Sequence, residues 1–149
     1  MKASRLACAI LAAGFGLCGF AVHADVPAPQ DVPFNGTLKV SVDATDIARR
    51  IFRVRESVPA QAGPLTLLYP QWLPGNHSPS GPIDKLAGLK VSANGKELKW
   101  TRDPLNVYAF HVDVPQGASS VDVEFQFLSP QDARQGRVVM TPEMLNLQW

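Results

Sequence analysis

Val121-Asp122-Val123-Glu124-Phe125-Gln126-Phe127 alternates apolar and polar residues without a break. Successive side chains of a strand point to opposite faces, so this run makes one apolar face and one polar face. A helix would scatter the same four apolar residues around its circumference. The period recurs along the chain. Leu38, Val40 and Val42 alternate with Lys39, Ser41 and Asp43, which reads as a half-buried strand. From Ile51 to Val58, Phe52 and Val54 stand against Arg53 and Arg55, a second strand with a charged outer face. Leu65 to Tyr69 alternates less and reads as a third strand covered on both faces. Asn94-Gly95 supplies the two positive-φ residues of a type I′ turn, predicting a hairpin of Leu89–Ala93 and Lys96–Trp100. Val107 to Val114 and Arg137 to Met140 read as further strands. Asp46–Arg49 and Ile83–Leu86 offer at most a helical turn each. About seven short strands, Pro/Gly turn signals and no long helical pattern predict an all-β protein, an antiparallel β-sandwich.

The two ends of the chain frame that sandwich. Lys2 and Arg5 precede the uncharged apolar run Leu6–Val22, and Ala21-Val22-His23-Ala24 closes it with small residues. Residues 1–24 thus have the layout of a cleavable signal peptide, which places the protein outside the cytoplasm, periplasmic or secreted. A membrane anchor is the competing reading, weakened by Gly14, Gly16 and Gly19. Residues 25–34 form a Pro-rich lead, and 35–149 the β-domain. Leu145-Asn146-Leu147-Gln148-Trp149 opens like another strand and then stops. The expectation is therefore a fragment of a larger protein, with the sandwich short of its last strand or strands.

Composition narrows the chemistry. Both cysteines, Cys8 and Cys18, lie in the signal segment, so the mature domain can form no disulfide and no Cys-based metal site. Removing Lys2 and Arg5 leaves 12 of the 14 basic residues against 13 acidic ones, a net charge of −1. Without a basic patch, nucleic acid is not an expected partner. After signal cleavage, neither is a membrane. His77 and His111 come from different segments with no H-E-x-x-H between them, which argues against a metal site. His111 and Asp113 share one strand face and suit a surface pair as well as a ligand pair. Ser78 and Ser80 flank His77, but no G-x-S-x-G elbow is present. Asp122 and Glu124 alternate on an outer face, as exposed carboxylates commonly do. No catalytic residue and no metal ligand is assigned.

One loop stands apart. Tyr69-Pro70-Gln71-Trp72-Leu73-Pro74-Gly75-Asn76-His77-Ser78-Pro79-Ser80-Gly81-Pro82 leaves the third strand and turns stiff. Each proline fixes φ and removes a backbone donor, so the run cannot continue a sheet. A bulky aromatic on such a loop loses little further entropy when something packs on it. Trp72, Pro74, Gly75, Asn76 and His77 are the candidate contact residues, facing another domain or a cleft. The alternative, that Trp72 plugs the end of its own sandwich, stays open at this point. Trp100, after the hairpin, reads as core.

The series Leu68-Tyr-Pro-Gln-Trp-Leu-Pro-Gly-Asn-His77, Gly81-Pro-Ile83, Leu86-Ala-Gly-Leu89, Ala93-Asn-Gly-Lys96 and Tyr108-Ala-Phe-His-Val-Asp-Val-Pro115 resembles the amino-terminal domain of the glycyl aminopeptidase family of zinc metallopeptidases. The likeness continues to Leu145–Trp149 and covers most of the mature chain. It implies a non-catalytic β-domain ahead of a thermolysin-like catalytic domain. Zinc would be held there by H-E-x-x-H and a downstream Glu, with water attacking the peptide carbonyl. No residue of this chain matches those positions, so no cofactor is expected in it. The expected partner is the parent's own catalytic domain, with peptide substrate touched indirectly. A free-standing secreted module that binds a glycan or a protein is the rival, and it predicts aromatics gathered on one exposed face. A small hydrolase using His77 and His111 is a third reading.

Overall fold

The computed structural model describes Val26, residues 31–130 and residues 138–147. Among the described residues, ten strands run β1 (Lys39–Asp46), β2 (Ile51–Pro59), β3 (Gly63–Leu68), β4 (Leu86–Ala93), β5 (Lys96–Leu98), β6 (Trp100–Arg102), β7 (Ala109–Val114), β8 (Ser120–Leu128), β9 (Val139–Met140) and β10 (Leu145–Asn146). A 3₁₀ turn, Ile83–Lys85, leads into β4. The strands form a five-stranded sheet β1-β2-β8-β4-β5, a three-stranded sheet β3-β7-β6 and the short pair β10-β9. Every pairing is antiparallel. The all-β expectation holds, while the signal-peptide residues and Trp149 lie outside the described residues.

Alternation places the core. On β8, Val121, Val123, Phe125 and Phe127 are buried while Asp122, Glu124 and Gln126 are exposed. Register carries that face sideways, since Phe52 opposes Phe127 and Val54 opposes Phe125. Val91 of β4 opposes Val123 on the other side. Phe110, Val112 and Val114 of β7 join the same buried cluster, as do Val138 and Met140. Withdrawing a side chain the size of Phe127 from water favours folding by about 1.5–3 kcal/mol. Several such residues meeting between two sheets are what hold this domain together.

The hairpin is present, with Asn94 at φ 50° and Gly95 at φ 74°, as a type I′ turn requires. Its second arm, however, is not one strand. Leu98 pairs with Val91 in the five-stranded sheet, whereas Trp100 pairs with Val112 in the three-stranded sheet. The chain changes sheet at Lys99, a strand-switching corner of the kind that joins two layers. Trp100 pins that corner. Its indole Nε1 donates to the Leu89 carbonyl of β4 at 3.2 Å, and its ring meets Phe110 edge-on at 5.6 Å.

Three other expectations change. Strand β1 is not half-buried, because Leu38, Val40 and Val42 are 54%, 53% and 40% exposed. Val42 opposes Val54 on the core side, but the three-stranded sheet does not reach far enough to cover β1. Strand β3 is covered on one face only, since Leu68 is exposed. The segment Asp103–Tyr108 is a loop, so β7 begins at Ala109 rather than Val107.

Candidate functional site

Two loops meet at the end of the three-stranded sheet where β3 finishes and β7 begins. The first is the Pro-rich run from Pro70 to Pro82, and the second is Asp103–Tyr108. They are laced together by the Tyr69 amide donating to the Tyr108 carbonyl at 2.8 Å and by Gln71 Nε2 donating to Asn106 Oδ1 at 3.2 Å. The Tyr69 and Tyr108 rings stack with centroids 6.3 Å apart. Tyr108 reaches across the first loop, its hydroxyl donating to the Gly81 carbonyl at 3.2 Å.

The first loop closes on itself at its base. The Gly81 amide donates to the Gln71 carbonyl at 2.8 Å. A Cβ at position 81 would lie 1.9 Å from the Pro70 carbonyl oxygen, so only glycine permits this closure. Within the loop, Asn76 N donates to the Leu73 carbonyl, and Asn76 Nδ2 donates to Ser80 Oγ. Gly75, at φ 81°, makes the turn between Leu73 and Asn76. Tyr69 and Leu73 point inward and are buried, whereas Trp72 is 63% exposed. Tyr69 belongs to the buried core cluster of the sandwich, whereas Trp72 does not. Pro74, Gly75 and His77 are exposed, and Asn76 is half-buried.

The second loop is shaped by Asp103. Its Oδ1 accepts from the amides of Leu105 and Asn106, both at 2.8 Å. Its Oδ2 lies 2.9 Å from His111 Nε2, and His111 Nδ1 lies 3.0 Å from Thr66 Oγ1. A carboxylate can only accept, so the neutral ring carries its proton on Nε2 and accepts from the Thr66 hydroxyl at Nδ1. The His111 contact first, then the two amides, holds the Asp103 carboxyl down at a pKa of about 2. His111 is thus engaged with Asp103 rather than with Asp113.

The order hydroxyl, imidazole, carboxylate is that of an acyl-transfer triad, but a triad also needs donors aimed at a developing oxyanion. Thr66 lies mid-strand in β3, and the carboxylate is spent on the loop's own amides. These contacts make a clamp that joins β3, β7 and the Asp103 loop. The loop that the clamp holds exposes Leu105, at 93%, and Val107, while the loop tied to it through Gln71 and Asn106 exposes Trp72. Sequence reading did not single out the exposed Leu68, Leu105 and Val107. The available signal was an apolar residue set directly inside the turn-forming run Asp103-Pro104-Leu105-Asn106.

The described residues offer zinc no ready set of ligands. Among the described residues, no three His, Cys, Asp or Glu side chains gather as a metal-binding group. Both nitrogens of His111 are taken by Thr66 and Asp103, and His77 sits in the exposed loop. Tyr69 carries a different peculiarity. Its hydroxyl is buried and has no hydrogen-bond partner among the described residues, and that burial pushes its phenol pKa up, with Asp84 adding to the effect. Elsewhere, the outer face of the five-stranded sheet carries shallow grooves of about 290 and 310 Å³. Arg53, Arg55, Lys90 and Glu124 line the first, and Arg55 is ion-paired with Glu124 at 3.3 Å. The exposed aromatic rings, Phe34 and Trp72, line neither.

Comparison with known proteins is consistent with this architecture. No curated protein matches the chain. An aminopeptidase N family protein of Idiomarina loihiensis superposes with a TM-score of 0.55 at 18% identity, over 64% of this chain and 16% of that one. At such identity the likeness speaks to fold alone. The family model of the Peptidase M61 N-terminal domain matches residues 39–149, nearly the whole β-domain. The chain belongs to the M61 peptidase family through its N-terminal domain.

Proposed function

We propose that this chain is the non-catalytic amino-terminal β-domain of an exported glycyl-aminopeptidase-like metallopeptidase. It docks on the catalytic zinc domain of the same polypeptide through the Trp72–Leu105–Val107 surface. The observation that carries this reading is the inversion within the Pro-rich loop. Tyr69 and Leu73 are buried at 7% and 8% exposure, while the much larger Trp72 stands 63% exposed between them. A stiff loop that turns its tryptophan outward keeps a rigid anchor ready, at little entropic cost on contact. Leu105, held out by the Asp103 clamp, adds a second exposed apolar side chain on the loop that Gln71 and Asn106 tie to the anchor's own. Peptide hydrolysis, with its zinc and general base, belongs to the catalytic domain. This domain's part is to wall the substrate cleft and fix its geometry. The charge and small-residue layout of residues 1–24 supports export, to the periplasm or beyond.

A free-standing glycan-binding module receives less support, because Trp72 and Phe34 lie on different elements and the sheet grooves are lined by paired charges. Hydroxyl-radical footprinting tests the docking. Trp72 and Leu105 should be oxidised readily in this chain and protected in the full-length protein. Equal labelling in both would overturn the assignment of the surface.

A further inference from the structure

Strand β1 has three properties that point to a partner of its own, apart from the Trp72 surface. It is the edge of the five-stranded sheet, and among the described residues nothing pairs with its outer side. An edge strand offers alternate backbone N–H and C=O groups to another strand. Its core-side face is apolar and open at Val40 and Val42, 53% and 40% exposed, with Leu38 just ahead of the strand at 54%. Its other face carries Lys39, Ser41 and Asp43, one cation and one anion symmetrically placed about a serine.

That symmetry decides the occupant. We infer that β1 pairs antiparallel with β1 of a second copy about a two-fold axis at Ser41, joining two five-stranded sheets edge to edge. In this register Lys39 stands opposite Asp43 of the other copy, and Asp43 opposite its Lys39. On the reverse face Val40 opposes Val42 twice over, so apolar meets apolar there, with Leu38 just ahead of each strand. A slip of one residue sets Val40 against Ser41 or Asp43, and a slip of two keeps the faces but loses both ion pairs. A self-complementary patch of this kind is what an isologous dimer requires. Asp43 keeps an oxygen for this role, because the bonds from the Thr45 amide and hydroxyl both fall on Oδ1. Arg53 lies beside Asp43 on β2 and Glu56 beside Val40, each one strand behind the seam. A seam one strand long is at the small end of specific interfaces, so the dimer is a weak one, with a Kd of about ten to a hundred micromolar.

The test is sedimentation velocity on the purified chain across the micromolar to sub-millimolar range. A reversible monomer–dimer equilibrium is expected. Lys39→Glu alone sets like charges opposite each other at both ends of the seam and should raise Kd at least tenfold, as should Asp43→Lys alone. An equimolar mixture of the two singly substituted chains restores opposite charges at every pair and should recover dimer as a heterodimer. Circular dichroism melting of each variant confirms that it is folded. A chain that stays monomeric throughout overturns the inference and leaves β1 to some other segment. A dimer indifferent to both substitutions, or a mixture that fails to recover, places the contact elsewhere and equally overturns it.

Discussion

Substituting Gly81 by alanine probes the closure that sets the whole loop. The new Cβ would stand 1.9 Å from the Pro70 carbonyl oxygen, where real Cβ atoms essentially never come within 3.0 Å. Backbone must therefore separate by about 1.1 Å, because the obstacle is not the end of a flexible side chain. Such a shift strains or breaks the 2.8 Å bond from Gly81 N to the Gln71 carbonyl. It also disturbs the bond from the Tyr108 hydroxyl to Gly81 O. Overpacking of this sort costs about 2 kcal/mol and a lost hydrogen bond about 1 more, for a total near 3 kcal/mol. In a domain of this size that lowers Tm by roughly 10 °C. Urea unfolding followed by circular dichroism gives the value. Gly117→Ala is the control, with φ at 79° but nothing within 4 Å of the added carbon. Its cost is backbone strain alone, about 1 kcal/mol. If the two variants lose the same stability, close approach is not what holds the loop.

Other consequences follow from single contacts. Tyr69→Phe removes a buried hydroxyl that has no partner among the described residues, so urea unfolding should show unchanged or slightly raised stability, by up to about 1 kcal/mol; a clear loss would mean the hydroxyl is bonded. Trp100→Phe deletes the indole bond to Leu89 O that ties the two sheets, and should cost about 1–2 kcal/mol. No change there would show the strand-switching corner to be held without it. Asp103 has a folded pKa lowered from 3.8 to about 2, so its stabilising contribution is present above about pH 4 and is lost as pH falls through about 2. Asp103→Asn should therefore flatten the fall in stability between pH 4 and pH 2. An unaltered acid limb would contradict the clamp.

The sandwich was legible in the sequence wherever one face met a core and the other met water. Strand β8 is the clearest case, because its alternation maps one-to-one onto buried and exposed positions. Alternation fails to say whether the facing layer extends far enough. Strand β1 has the same pattern as β8, yet its apolar face is bare because the opposite sheet holds only three strands. The change of sheet at Lys99 was likewise hidden, since a strand that switches layers keeps an extended backbone throughout and gives no turn signal. The Pro-rich loop was recognisable from its residues, but the inward turn of Leu73 and outward turn of Trp72 depend on the Gly81–Gln71 closure, a contact between loop ends. The Thr66–His111–Asp103 clamp joins three segments through the β3–β7 register, which local sequence does not encode.

The proposed docking role rests most directly on Trp72. At 63% exposure its removal should leave the Tm of this chain nearly unchanged, within the range of ordinary surface substitutions, about 0.5 kcal/mol. In the full-length peptidase, Trp72→Ala should lower kcat/KM tenfold or more, because it removes the anchor between the β-domain and the cleft. Wild-type kcat/KM in that variant, or a fall in the Tm of the isolated domain that accounts for the whole loss, would contradict the account.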